Sequence, residues 1–137
     1  MLNKIEHIGI AVKNLESSNA LYAKLLGGAH YKIETVESEG VTTSFFKIGD
    51  SKVELLQATT PESPIAKFIS KHGEGVHHIA FEVNDIDAEI ARLTLEGFEL
   101  IHNKPKPGAD GKLIAFLHPK SSGGVLVELC QDIANND

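Results

Sequence analysis

A chain of 137 residues fits one compact domain, and 42% hydrophobic content gives it material for a core. A charged fraction of 23% excludes a globally disordered chain. A net charge of −6 speaks against nucleic acid, which needs a basic face, while leaving room for a phosphorylated small molecule held by a few lysines.

In chain order, residues 4–12 alternate apolar with small or polar side chains, as a half-buried strand does. A helix follows at about 15–26, with Asn14 as N-cap, Gly27 at the left-handed C-terminal position, and Leu21, Tyr22 and Leu25 as its apolar stripe. Three strands are predicted near 30–37, 42–48 and 52–57, the last two joined by a Gly49-Asp50 turn. Residues 59–74 form a linker in which Ser63-Pro64-Ile65-Ala66 starts a short helix with proline at its first position. A strand at 76–83 comes next, then a helix at about 86–96 with Asp85 as N-cap, Gly97 at its end, and Ile86, Ile90 and Leu93 as its stripe. Strands near 98–102, 112–117 and 124–130 complete the chain, with Pro105, Pro107, Gly108 and Gly111 breaking it between the first two.

This succession repeats itself. His7-Ile8-Gly9-Ile10-Ala11-Val12 is echoed 71 positions later by His78-Ile79-Ala80-Phe81-Glu82-Val83. Val53-Glu54-Leu55 is echoed 74 positions later by Val127-Glu128-Leu129. The expected fold is therefore α+β: two tandem βαβββ modules, at about 3–58 and 75–132, in a single domain spanning 1–137. An open four-stranded sheet cannot bury its concave face alone, so the modules are expected to form a curved mixed sheet around a cleft.

The repeat puts His7 and His78 at equivalent points of each module's first strand, and Glu54 and Glu128 at equivalent points of each last strand. Pseudo-twofold pairing would turn two imidazoles and two carboxylates toward one cleft. A lone histidine in an apolar strand is more often a hydrogen-bonded core residue than a ligand. Two glutamates interrupting apolar strands are harder to explain without a cation, because burying an unpaired carboxylate costs several kcal/mol. Two neutral nitrogens and two anionic oxygens suit one divalent ion, Co²⁺, Zn²⁺, Mn²⁺, Ni²⁺ or Fe²⁺, with two octahedral positions open.

His77 alternates with His78 and is assigned to the opposite face, in a structural or supporting role. His30, His72 and His102 are read as surface residues, and His118, before Pro119, is open. Cys130 lacks an evident base partner and is read as a buried, inert thiol. As the single cysteine it permits no disulfide within the chain, and no apolar run reaches the ~20 residues of a membrane helix. No signal peptide is evident in MLNKIEHIGIAV, so a cytoplasmic location with no membrane partner is expected.

The repeated module with His, Glu, His and Glu ligands resembles the vicinal oxygen chelate superfamily of glyoxalases, bleomycin resistance proteins and dioxygenases. Within it the chain is similar to the methylmalonyl-CoA epimerases. The resemblance is carried by residues 5–12 (IEHIGIAV), 63–68 (SPIAKF), 73–80 (GEGVHHIA), 116–120 (FLHPK) and 123–129 (GGVLVEL), and it spans nearly the whole chain. It implies His7, Glu54, His78 and Glu128 as metal ligands, Co²⁺ as the first choice of ion, and Glu128 also as an acid/base group. The implied reaction interconverts the 2R and 2S forms of methylmalonyl-CoA by loss and return of the α-proton, and a homodimer is expected. Several family members carry a glutamate three residues after the glycine matching Gly40; here Thr43 stands there, and a hydroxyl is no base near neutral pH. The second acid/base group is thereby unassigned, with Glu37 and Glu39 close in sequence. Lys120, Ser121 and Ser122 beside the last strand are candidate contacts for the acyl-CoA substrate, although they also read as a solvated turn. Related chemistries remain open: a glyoxalase I-type lyase using the same ligands, an Fe²⁺ extradiol-type dioxygenase, against which a fourth ligand argues, and a non-catalytic binding protein of the same fold.

Overall fold

A computed structural model describes residues 1–133. The elements run β1 (Leu2–Ala11), α1 (Leu15–Leu26), β2 (Lys32–Val36), β3 (Val41–Ile48), β4 (Ser51–Ala58), α2 (Pro64–His72), β5 (Gly75–Val83), α3 (Ile86–Leu95), β6 (Lys106–Pro107), β7 (Lys112–Leu117) and β8 (Val127–Asp132). The βαβββ succession thus occurs twice, as β1-α1-β2-β3-β4 and β5-α3-β6-β7-β8. Two compact units carry it, one from His7 to His77 and one comprising Met1–Glu6 with the chain from His78 onward.

In the His7–His77 unit the strands lie in the order β2, β3, β4, β1. The β2/β3 and β3/β4 pairs are antiparallel, while β1 runs parallel to β4 with Gly9 opposite Glu54. Side chains alternate across this sheet. Val12, Phe46, Val53 and Leu55 pack on one face against Leu15, Tyr22 and Leu26 of α1. On the other face, Ala11 and Leu56 pack against Ile65, Phe68 and Ile69 of α2. Asn14 caps α1 by accepting from Ser17 N at 2.8 Å, and Ser63 caps α2 by accepting from Ile65 N at 3.1 Å. Proline at the first position of α2 forfeits no intrahelical bond.

The expected stripe of α1 is corrected. Tyr22 faces the sheet, but Leu21 and Leu25 are 61% and 69% exposed. The helix meets its sheet through positions 15, 18, 19, 22 and 26, a spacing that turns 21 and 25 outward. Small polar Ser18 and Asn19 occupy the closest approach, so the hydrophobicity pattern hides the true face.

In the other unit the order is β5, β8, β7, β6, with β5 parallel to β8 and Ala80 opposite Glu128. Ile86 and Leu93 of α3 pack with Val83, Ala115, Leu117 and Leu129, and Ile90 lies against this cluster as expected. Asp85 caps the helix through Ala88 N. Glu89, 4% exposed, is satisfied by Arg92 Nη2 at 2.9 Å and by the N-terminal ammonium of Met1. The strand expected near 98–102 is reduced to a single bridge between Leu100 and Leu117, and the regular strand is only Lys106–Pro107. Pro105 and Pro107 lack the N–H groups a longer ladder requires.

Candidate metal centre

Each unit folds one histidine and one glutamate onto the same face of its sheet. Glu54 lies opposite Gly9 in β1, two residues beyond His7; Glu128 lies opposite Ala80 in β5, two residues beyond His78. Residues two apart on a strand share a face, so each pairing carries its histidine beside its glutamate. His7 Nδ1 lies 3.2 Å from Glu54 Oε2, and His78 Nε2 lies 2.8 Å from Glu128 Oε1. All four residues are only 4–5% exposed.

The spacing within each pair fits ligation. Two donors bound at right angles to one ion with bonds of about 2.1 Å stand about 3.0 Å apart. The donor chemistry fits as well, since a buried imidazole and carboxylate in each unit offer a borderline ion the nitrogen and oxygen it prefers.

Around each pair the unit supplies an aromatic wall. Phe45 lies opposite Glu54 across β3/β4, and Phe116 opposite Glu128 across β7/β8. Phe116 meets the His78 ring edge-on, with centroids 5.6 Å apart. Cys130 is 1% exposed, buried as expected, and its thiol donates to Phe81 O at 3.5 Å. His77 packs edge-on against Phe68 of α2 at 4.9 Å, a structural role. His72 is exposed as expected; His30 instead lies half-buried, edge-on to Phe46 at 5.9 Å.

His118 and the three substrate-contact candidates form one tight turn. The Nδ1 of His118 accepts from Lys120 N at 3.2 Å and so caps the short 3-10 turn Pro119–Ser122. Ser121 Oγ donates to His118 O at 2.9 Å and accepts from Glu99 N, and Ser122 Oγ donates to Val125 O at 2.6 Å. Lys120 itself is exposed.

Two residues that the sequence reading passed over stand on the site face of the first unit. Lys52 is opposite His7 in register and 7% exposed, with its Nζ 3.8 Å from Glu54 Oε2. Its place two residues before Glu54 was the available signal. Glu34 lies opposite Thr43 across β2/β3, half-buried, with Lys32 Nζ 3.6 Å from its Oε1. Thr43 is 1% exposed and shares this face with Phe45 and Leu56. By contrast Glu37 is exposed, and with Glu39 it belongs to the 3-10 turn that precedes β3.

Residues 6–116 match the family model of the Glyoxalase/Bleomycin resistance protein/Dioxygenase superfamily. The chain is 41% identical over 133 residues to the ethylmalonyl-CoA/methylmalonyl-CoA epimerase of Cereibacter sphaeroides, covering 96% of this chain and 99% of that protein. It is 40% identical over 131 residues to the mitochondrial methylmalonyl-CoA epimerase of Homo sapiens, covering 95% and 74%. A solved methylmalonyl-CoA epimerase in complex with methylmalonyl-CoA and NH4+ matches it with a TM-score of 0.93 at 38% identity, covering 98% of this chain and 97% of that one.

Proposed function

The chain belongs to the Glyoxalase/Bleomycin resistance protein/Dioxygenase superfamily and, within it, to the methylmalonyl-CoA epimerases, and from that membership we propose that it interconverts (2R)- and (2S)-methylmalonyl-CoA with one bound divalent ion. The observation that carries this reading is the recurrence of one buried histidine–glutamate pair at the same register position in both units. His7, Glu54, His78 and Glu128 would hold the ion, Co²⁺ first among Zn²⁺, Mn²⁺ and Ni²⁺. Such an ion supplies Lewis acidity to the negative charge that develops on the thioester oxygen when the α-proton leaves.

The chain's own residues perform the proton transfer. The Glu128 carboxylate takes the α-proton from one face of the substrate. A protonated group on the opposite face delivers another, so one C–H bond breaks and one forms with inversion; exchange with solvent resets both groups. We assign the second role to Glu34, the carboxylate paired in register with Thr43. Phe45 beside Glu54 and Phe116 beside Glu128 would limit water around each carboxylate, which would sharpen its electrostatic contacts. Lys120 and the turn built by Ser121 and Ser122 would contact the coenzyme A moiety. A cytoplasmic homodimer completes the reading.

The test is proton exchange. The Co²⁺-loaded protein is incubated with (2R)-methylmalonyl-CoA in D₂O, and α-deuterium incorporation and appearance of the 2S form are followed together. Exchange with inversion, abolished in His7→Ala and Glu128→Gln, is the expected result. A fully metallated protein that exchanges nothing would overturn the epimerase reading.

A further inference from the structure

The two histidine–glutamate pairs share one register but differ in the residue that precedes the glutamate by two. That residue is Lys52, within β4, in one unit and Leu126, immediately before β8, in the other. Lys52 is 7% exposed, although a lysine side chain normally keeps its ammonium in water. Its Nζ stands 3.8 Å from Glu54 Oε2, the oxygen that His7 Nδ1 approaches at 3.2 Å, and 5.7 Å from the Phe45 ring centroid. One carboxylate oxygen is thus held between an imidazole and an ammonium, while Glu128 has a leucine in the equivalent place.

A stably placed cation beside a metal ligand opposes the binding of a second cation. At separations of a few ångströms in a poorly hydrated site this repulsion is large. Retaining it makes sense if the ligand that completes the site is an anion. Two glutamates would neutralise a bound divalent ion, and among these groups Lys52 would then leave one positive charge in excess. That excess matches a substrate bearing one carboxylate beside its thioester.

We infer that Lys52 is a positioning residue which weakens the metal site when it is empty of substrate and couples metal binding to an acyl thioester bearing an α-carboxylate. The inference rests on the metal reading above. By linkage, the metal and the anionic substrate each raise the affinity for the other, and the strength of that coupling depends on the Lys52 charge.

The test measures Co²⁺ affinity of the metal-free protein by competition with a chelating indicator, with and without methylmalonyl-CoA. Lys52→Met and Lys52→Gln should bind Co²⁺ alone about tenfold more tightly or better, and Lys52→Arg should behave as the parent protein. The neutral variants should show a smaller gain in Co²⁺ affinity on adding substrate, and a KM raised about tenfold with a smaller change in kcat. A merely structural role predicts the opposite sign, because a displaced Glu54 loosens the metal. Leu126→Lys supplies a readout independent of the neutral variants' folding, and should weaken Co²⁺ binding.

Unchanged or weakened Co²⁺ binding in both neutral variants, with normal binding by the parent, overturns the inference alone. No stoichiometric Co²⁺ binding by the parent overturns the metal reading and this inference together.

Discussion

Gln57 and Gln131 do the same work in the two units, each offering its side-chain oxygen to the first backbone N–H of a helix. Gln57 Oε1 accepts from Leu15 N at 2.5 Å, and Gln131 Oε1 accepts from Ile86 N at 2.7 Å. Each glutamine lies three residues beyond its unit's site glutamate. The last strand of each unit therefore fixes the helix start with one residue and faces the candidate metal centre with another, on opposite sides of the sheet. The α1 and α3 N-termini are held by a strand as well as by Asn14 and Asp85, which bond to different amides.

Removing either glutamine leaves a partly buried helix-terminal N–H without its acceptor. Gln57→Ala and Gln131→Ala should each cost about 1 kcal/mol and lower Tm by about 3–5 °C. Replacement by glutamate keeps an acceptor oxygen and should cost less. Thermal denaturation followed by circular dichroism checks the pair, and equal losses at both positions would express the internal repeat energetically.

The sequence displayed the repeat through residues that permit few substitutes: the helix caps, Gly27 and Gly97 with positive φ, and the histidines and glutamates set into apolar strands. It did not display which way α1 faces, because Leu21 and Leu25 are exposed and Ser18 and Asn19 take the contact. Gln57 and Gln131 passed unnoticed for a similar reason, since a polar residue at a strand end is unremarkable until its helix is beside it. Lys52 and Glu34 became visible only through strand register, which places Lys52 opposite His7 and Glu34 opposite Thr43. Periodicity gives the face of a strand residue but not its neighbour on the next strand.

Ser63 and Gly40 form a second point of structural sensitivity. Gly40 has φ +66°, and a Cβ there would stand 3.1 Å from the Cβ of Ser63. Ser63 is 3% exposed and caps α2. Ser63→Ala should destabilise the fold by about 1 kcal/mol through the lost cap. Gly40→Ala should cost at least about 1 kcal/mol, from left-handed backbone strain added to the crowding. Chemical denaturation with an unchanged m-value would check both.

If the proposed metal is bound, its removal should abolish turnover without unfolding the chain, because the hydrophobic clusters of both units exclude the four candidate ligand residues. Dialysis against a chelator should leave the far-ultraviolet circular dichroism intact, and added Co²⁺ should restore activity. His7→Ala and His78→Ala should both weaken Co²⁺ binding by at least about tenfold, a floor taken from the loss caused by removing mere supporting residues around a metal. Loss of binding in one variant alone would mean that the two pairs do not serve one ion.

Glu34 and Glu128 should separate when proton exchange and inversion are measured independently. If Glu128 serves one substrate face and Glu34 the other, Glu34→Gln removes only the second proton transfer. The enantiomer whose α-proton faces Glu128 should then still take up deuterium from D₂O but retain its configuration. Its epimerisation should fall by about 10²–10⁴-fold, the usual contribution of one positioned acid/base group. Thr43→Glu in the Glu34→Gln background puts a carboxylate on the adjacent strand, at the residue paired with position 34, and should recover part of the inversion rate. Full epimerase activity in Glu34→Gln would remove this glutamate from the mechanism and leave the opposite face to another proton carrier.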